Sequence, residues 1–279
     1  MERRVGAALG AGVRSLTELD GGMIGTVHRV DLDDGRTVVA KTGETPLTVE
    51  ARMLRYLDDH GLPVPDVLSA SDSLLVLSYV EGESLITPAV ERDAAERLAT
   101  LHATTADRFG FPFDTLTGPV TQPNPWTDRW VEFYRDQRLR PVRARCRDEG
   151  PLDDPLDERL GTAVERLPDL LVEPPAPALI HGDVWENNLL TDGDRIRAFL
   201  DPACYYGHPE VELAYVDWTD TFGTPFFERY EECRGIRNGF FAERRYAYRL
   251  YPLLVHLLLF GSPYEGELAA ILDELDVPR

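Results

Sequence analysis

The stretch LIHGDVWENNLL, Leu179–Leu190, followed shortly by FLDPA at Phe199–Ala203, sets a dense polar centre between apolar flanks. The apolar residues predict a buried strand that ends in a loop carrying His181, Asp183 and Asn188. A turn at Asp192 and Gly193 predicts a hairpin, whose return strand brings Asp201 to the same place. An imidazole, two carboxylates and an amide thus converge on one loop cluster, a set able to hold a metal ion and to take up a proton.

The spacing has a chemical reason. Phosphoryl transfer needs a carboxylate facing an acceptor hydroxyl, and oxygen ligands for Mg²⁺ on nucleotide phosphates. Asp183 suits the first task as catalytic base, and Asn188, five residues on, and Asp201 suit the second. H-x-D-x-x-x-x-N followed by a strand-end Asp is the arrangement of protein kinases and their small-molecule relatives.

A second signal is a single residue. Of 29 basic side chains one is lysine, Lys41, and the rest are arginine. Lys41 ends the buried strand pattern RTVVAKTG, where a compact ammonium contacts phosphates in a way that a planar guanidinium does not. Upstream, LDGGMIGTVHRV reads as two short strands joined by a turn at Gly21, Gly22 and Gly25, whose backbone amides can cover phosphates. Downstream, PLTVEARMLRYLDDHG predicts a helix with Val49, Met53, Leu54 and Leu57 on its apolar face and Glu50 as the partner of Lys41. Two further strands lead to Tyr79, Val80 and Glu81, a hinge whose backbone would bond adenine.

From Pro88 the pattern turns helical. His102 lies on an apolar helix face with Ala95, Leu98 and Ala99 and reads as a packed core residue. GFPFDTLTGPVTQPNPW reads as an ordered loop, and Trp126, Trp130, Phe133 and Tyr134 as an aromatic stripe on the next helix. A chain of 279 residues, 43% hydrophobic, can build two lobes around a cleft, here 1–80 and 81–279. The formal charge of −20 disfavours nucleic acid and anionic membranes as partners. An acidic surface almost without lysine is expected of a halophilic protein. Neither a secretory signal nor a spanning segment is predicted, so the expected location is cytoplasmic. Cys146, Cys204 and Cys233 lie far apart and read as reduced thiols.

HGDVWENN, DPACYYGHPEVELA, the FG and QPNPWTDRWVEFYRDQRL segments and YRLYPLLVHLLLFG together resemble the fructosamine (ketosamine) kinase family, within the aminoglycoside-phosphotransferase and protein-kinase-like fold. The resemblance runs from about Leu16 to Leu275. It implies an α+β, bilobal protein-kinase-like fold, with a small antiparallel N-lobe sheet and one helix before a mainly helical C-lobe. It implies ATP-dependent phosphorylation of the third-carbon hydroxyl of a sugar–amine (Amadori) adduct, free or on a glycated protein, with Mg²⁺. The 3-phosphate tends to eliminate and free the amine, which associates the family with deglycation.

Carried over, Lys41 would bind the α and β phosphates and Glu50 would hold it. Asp183 would take the hydroxyl proton, and Asn188 and Asp201 would bind Mg²⁺. On the substrate side, His181 would brace the loop and Trp185 would wall the sugar pocket. Glu186 and Asn187 stand where the family usually has small residues; Glu186 either attracts a cationic amine or is a solvated loop charge. Ser78 replaces an acidic hinge residue, and Val255 an asparagine. Met23 and its neighbours offer no cysteine for a thiol switch. A monomer is expected. An aminoglycoside- or choline-like kinase of the same fold, and a nucleotide-binding pseudokinase, remain as alternatives.

Overall fold

A computed structural model describes residues 1–19, 25–150 and 152–277. The turn glycines Gly21 and Gly22 lie outside the described residues. The chain opens with α1 (Glu2–Leu9), β1 (Val13–Leu19), β2 (Thr26–Leu32), β3 (Thr37–Thr42), α2 (Leu47–Asp59), β4 (Val67–Ser71) and β5 (Leu74–Ser78). The strands form one antiparallel sheet in the order β1-β2-β3-β5-β4, so β3 is central and Lys41 faces Val27 on one neighbour and Leu75 on the other. Val30, Leu32, Val38, Ala40 and Val76 bury one face beneath Val5 of α1, a helix additional to the one expected.

Helix α2 carries the other face. Leu47, Ala51 and Leu54 pack on Leu75 and Leu77, while Met53 and Leu57 join the large core of the helical region. Two apolar faces on one helix let it couple sheet and helices. Glu50, between those faces, is therefore held against the cleft.

The remainder is α3 (Pro88–Leu101), β6 (Thr115–Thr117), β7 (Val120–Gln122), α4 (Trp130–Phe133), α5 (Arg140–Glu149), α6 (Asp154–Glu165), α7 (Leu167–Leu170), β8 (Ala178–Ile180), β9 (Leu189–Asp192), β10 (Arg195–Phe199), β11 (Tyr205–Gly207), α8 (Pro209–Trp218), α9 (Thr224–Arg234), α10 (Arg245–Phe260) and α11 (Glu265–Glu274). Thr87 caps α3 and Asp153 caps α6, each with proline in the first turn; such caps contribute about 1 kcal/mol each.

The loop expected before Trp126 contains the β6–β7 hairpin. Trp130, Phe133 and Tyr134 are buried on the helix as expected, but Trp126 precedes it and is 38% exposed. A six-residue π-helical segment, Tyr134–Leu139, joins α4 to α5. Its Tyr134 hydroxyl donates to the Tyr248 carbonyl at 2.9 Å, the acceptor that Pro252 inside α10 cannot serve for want of an N–H.

His102 is fully buried, as are Cys146 and Cys204, while Cys233 is exposed. Among the described residues no helix is long and apolar enough to cross a membrane.

Candidate active site

Three segments distant in sequence meet at Lys41. Its Nζ lies 2.9 Å from Glu50 Oε2 on α2 and 2.8 Å from Asp201 Oδ1 after β10. Burial alone would lower the ammonium pKa, but Asp201 and Glu50 outweigh it and hold Lys41 well above its ordinary value. Burial pushes the Glu50 carboxyl up, with Lys41 pulling against it. For Asp201, partial removal from water favours the neutral acid, and the Lys41 ammonium overcomes this to keep it below the usual carboxylate range. Asp201 adopts φ 50°, a left-handed conformation uncommon outside glycine and Asx residues.

The loop after β8 is braced from below by Glu212 of α8, a residue that sequence reasoning missed. Glu212 is 1% exposed. Its carboxylate accepts from the backbone N–H of His181 at 3.1 Å and of Gly182 at 2.6 Å, and from His102 Nε2 at 2.8 Å. Tyr230 OH completes the chain at His102 Nδ1, 2.7 Å away. Burial would raise the Glu212 pKa, but His102, His181 and the Gly182 N–H hold it below the ordinary value. Gly182 has φ +87°, and a Cβ there would run into the Ala203 carbonyl oxygen, so glycine is required. The two loops are further joined by Leu200 N–H to the Asn188 carbonyl and Ala203 N–H to the His181 carbonyl, both 2.9 Å.

Asp183 sits at the mouth of this arrangement. Asn188 Nδ2 donates to its Oδ2 at 2.9 Å and to its carbonyl at 3.0 Å, and the Tyr215 hydroxyl donates to its carboxylate from α8. Removal from water pushes Asp183 up to about 7, with Tyr215 and Asn188 pulling down and Asp201 adding to the rise. A carboxyl balanced there can accept a proton near neutral pH. His181 is fully buried, with burial holding its imidazole below the ordinary value, and its Nδ1 accepts from the Asp183 N–H at 3.3 Å. It lies beneath the loop and does not line the cleft.

The cleft encloses about 640 Å³, within the usual size of small-molecule sites. Lys41, Asp183, Trp185, Glu186, Asn188 and Asp201 line it. Gln122, from the QPNPW loop, lines it too. Its Nε2 donates to the Ala203 carbonyl at 3.1 Å and its Oε1 accepts from Tyr251 OH at 3.1 Å, so this loop fixes the segment after Asp201. Asn124 of the same loop is held by the buried Arg138, Nη2 to Oδ1 2.6 Å.

Tyr79, Val80 and Glu81 follow β5 outside that cleft, with the Arg29 guanidinium 4.9 Å over the Tyr79 ring. Gly25, just before β2, has φ +89°, and a Cβ there would strike the Thr42 carbonyl oxygen, one residue past Lys41.

The donors fit a hard divalent cation. With its amide nitrogen spent on Asp183, Asn188 presents oxygen, and Asp201 offers the oxygen that Lys41 leaves. Among the described residues no group of three or more His, Cys, Asp or Glu side chains is gathered for a metal. An ion here would complete its shell from nucleotide and water, as Mg²⁺ commonly does.

The chain is similar to known proteins over nearly its whole length. A probable ketoamine kinase of Synechocystis is 35% identical over 217 residues, covering 76% of this chain and 70% of that protein. The crystal structure of a proposed fructosamine-3-kinase from Thermobifida fusca superposes with a TM-score of 0.87 at 31% identity, covering 99% of this chain and 98% of that one. An aminoglycoside phosphotransferase in complex with ADP and hygromycin B shares the fold, with a TM-score of 0.70 at 21% identity over 98% of each chain. The sequence profile of the fructosamine kinase family matches residues 5–276, and the chain belongs to that family.

Proposed function

We propose that this protein transfers the γ-phosphoryl group of ATP to the third-carbon hydroxyl of a sugar–amine adduct formed by Amadori rearrangement. The observation that carries the reading is the meeting of Asp183, Asn188 and Asp201 with the Lys41–Glu50 pair on one cleft. The acceptor hydroxyl gives its proton to Asp183, its oxygen bonds the γ-phosphorus, and the bond to the β-phosphate oxygen breaks to leave ADP. Lys41 balances charge on the α and β phosphates, and Glu50 keeps it aimed. Asn188 and Asp201 would hold Mg²⁺, which neutralises phosphate charge when bound. Trp185 offers an aromatic wall to the sugar.

Residues 1–80 form the lobe that covers the nucleotide, with the backbone at Gly25 beside the phosphates and that of Tyr79–Glu81 on adenine. Residues 81–279 carry the base and the acceptor pocket. We further read the protein as a cytoplasmic monomer adapted to high salt, given its charge of −20 and single lysine. The test is ³¹P NMR of the protein with Mg·ATP and ribulosyl-lysine. A new phosphate ester that decays as free lysine appears is expected; ATP consumption without such an ester would overturn the assignment.

A further inference from the structure

The direction of the Asp183 carboxylate has to be imposed from outside. The torsion that turns an aspartate carboxylate is broad and fixes no plane by itself. Asn188 holds one point of the group, Nδ2 to Oδ2 at 2.9 Å. A single hydrogen bond still lets the carboxylate pivot about that contact, and the other end of the Asn188 amide is turned to the cation site.

A second donor comes from a separate element. Glu212 and Tyr215 stand three residues apart on α8 and so share one face of the helix. Glu212 receives the backbone N–H groups of His181 and Gly182. One turn further along, the Tyr215 hydroxyl meets the carboxylate of the next loop residue, Asp183, and both side chains line the cleft. One helix thus positions three consecutive loop residues, two through the backbone and the third through its side chain.

The phenol suits that task. Tyr215 is only 8% exposed, and the Trp218 ring packs 5.9 Å from its own at 54°. Burial, and then the Asp183 charge, hold the hydroxyl well above its ordinary pKa, so it stays a donor. Being neutral, it adds no positive charge beside a cation site. An ionised carboxylate offers about four lone-pair positions, so two donors leave the others for an acceptor hydroxyl.

We infer that Tyr215 is a positioning residue for phosphoryl transfer: with Asn188 it clamps the Asp183 carboxylate from a second direction and holds a free lone pair of the base towards the acceptor oxygen. This rests on the proposed role of Asp183 and deepens it. No atom of Tyr215 is exchanged in the reaction. Without its hydroxyl the base is present but misaimed, which slows the chemistry and leaves Lys41, Asp201 and the nucleotide untouched.

The test is a double-mutant cycle with Tyr215→Phe and Asp183→Ala, alone and combined. Tyr215→Phe keeps the ring and should lower kcat about 10- to 100-fold, with KM for ATP unchanged. In the Asp183→Ala background the same change should cost less than about twofold, because the phenol has nothing left to aim. A kcat within about twofold of wild type in Tyr215→Phe would overturn the assignment. So would an equal loss in both backgrounds, which is what a purely structural role produces.

A second arm needs no turnover. In tyrosine-labelled protein the Tyr215 hydroxyl proton, identified by its loss in Tyr215→Phe, is expected as a downfield NMR resonance that moves upfield in Asp183→Ala. If no ketosamine were phosphorylated, the acceptor reading would fall and this resonance would still decide the clamp. The upfield move supports it; an unmoved resonance, or none protected from exchange, refutes it.

Discussion

Replacing Glu212 probes how the fold holds its own chemistry. This carboxylate receives two backbone N–H groups and an imidazole at 2.6–3.1 Å in a fully buried position. Hydrogen bonds to a charged group contribute about 1.5–3 kcal/mol each, and a buried donor left unmade costs about 1–3 kcal/mol. Glu212→Gln keeps one acceptor oxygen and turns an NH₂ against a donor, so a loss of about 2–4 kcal/mol is expected. For a chain of this size that corresponds to a fall in Tm of about 5–15 °C.

Because the same two amides orient the peptide leading into Asp183, kcat should drop about tenfold or more even well below the variant's Tm. The pH sign follows from the depressed pKa of Glu212. Its contribution is present above the ordinary carboxylate range and is lost as pH falls through the lower folded value, so the Tm gap between wild type and variant should close below about pH 4. Calorimetric melts from acid to neutral pH, with steady-state kinetics, read both effects. A variant melting within about 1 °C of wild type at pH 7, with unchanged kcat, would refute the bracing role.

Four further outcomes follow, three from the same geometry and one from the net charge. Asp183, pushed up to about 7, must be ionised to act, so kcat/KM of the free enzyme should rise with pH through about 7 and level above it. A raised folded pKa also means that the stability tied to its proton is full below the ordinary carboxylate value and is lost as pH rises through about 7. Asp183→Asn should therefore melt about 2–4 °C higher than wild type at pH 8 while losing about 10²–10⁴ in rate; an unchanged rate would remove the base. Lys41→Arg should stay folded, since Glu50 and Asp201 still find a cation, yet lose about 10² or more in kcat/KM for ATP, as measured by coupled ADP release. With a formal charge of −20, the Tm should climb from dilute buffer to molar KCl, and a flat salt series would contradict salt adaptation.

The catalytic loop was legible because its chemistry is local. His181, Asp183 and Asn188 lie within eight residues, and the apolar runs around them specify a strand, a loop and a hairpin. Lys41 and Glu50 were legible through strand and helix periodicity together with the loss of every other lysine. Glu212, Tyr215 and Gln122 were not, because each acts on a segment about 30 to 80 residues away.

A signal for Glu212 was present and unused. It lies in VELAYV, a helix whose residues from Glu210 to Val216 are all buried, and a carboxylate there requires a partner. The place of Trp126 failed for another reason: its neighbour Thr127 is drawn into an extended bridge with Phe109, so the helix begins only after Arg129, and an aromatic count over the stretch could not see that long-range pairing.

The central claim is tested most directly by ATP consumption in molar KCl with Mg²⁺, offering ribulosyl- and fructosyl-lysine beside choline, kanamycin and free ribose, with Asp183→Asn as control. The account predicts turnover of the ketosamines alone, abolished in the variant. Turnover of choline or kanamycin without the ketosamines, or bound ATP with no acceptor consumed, would contradict it.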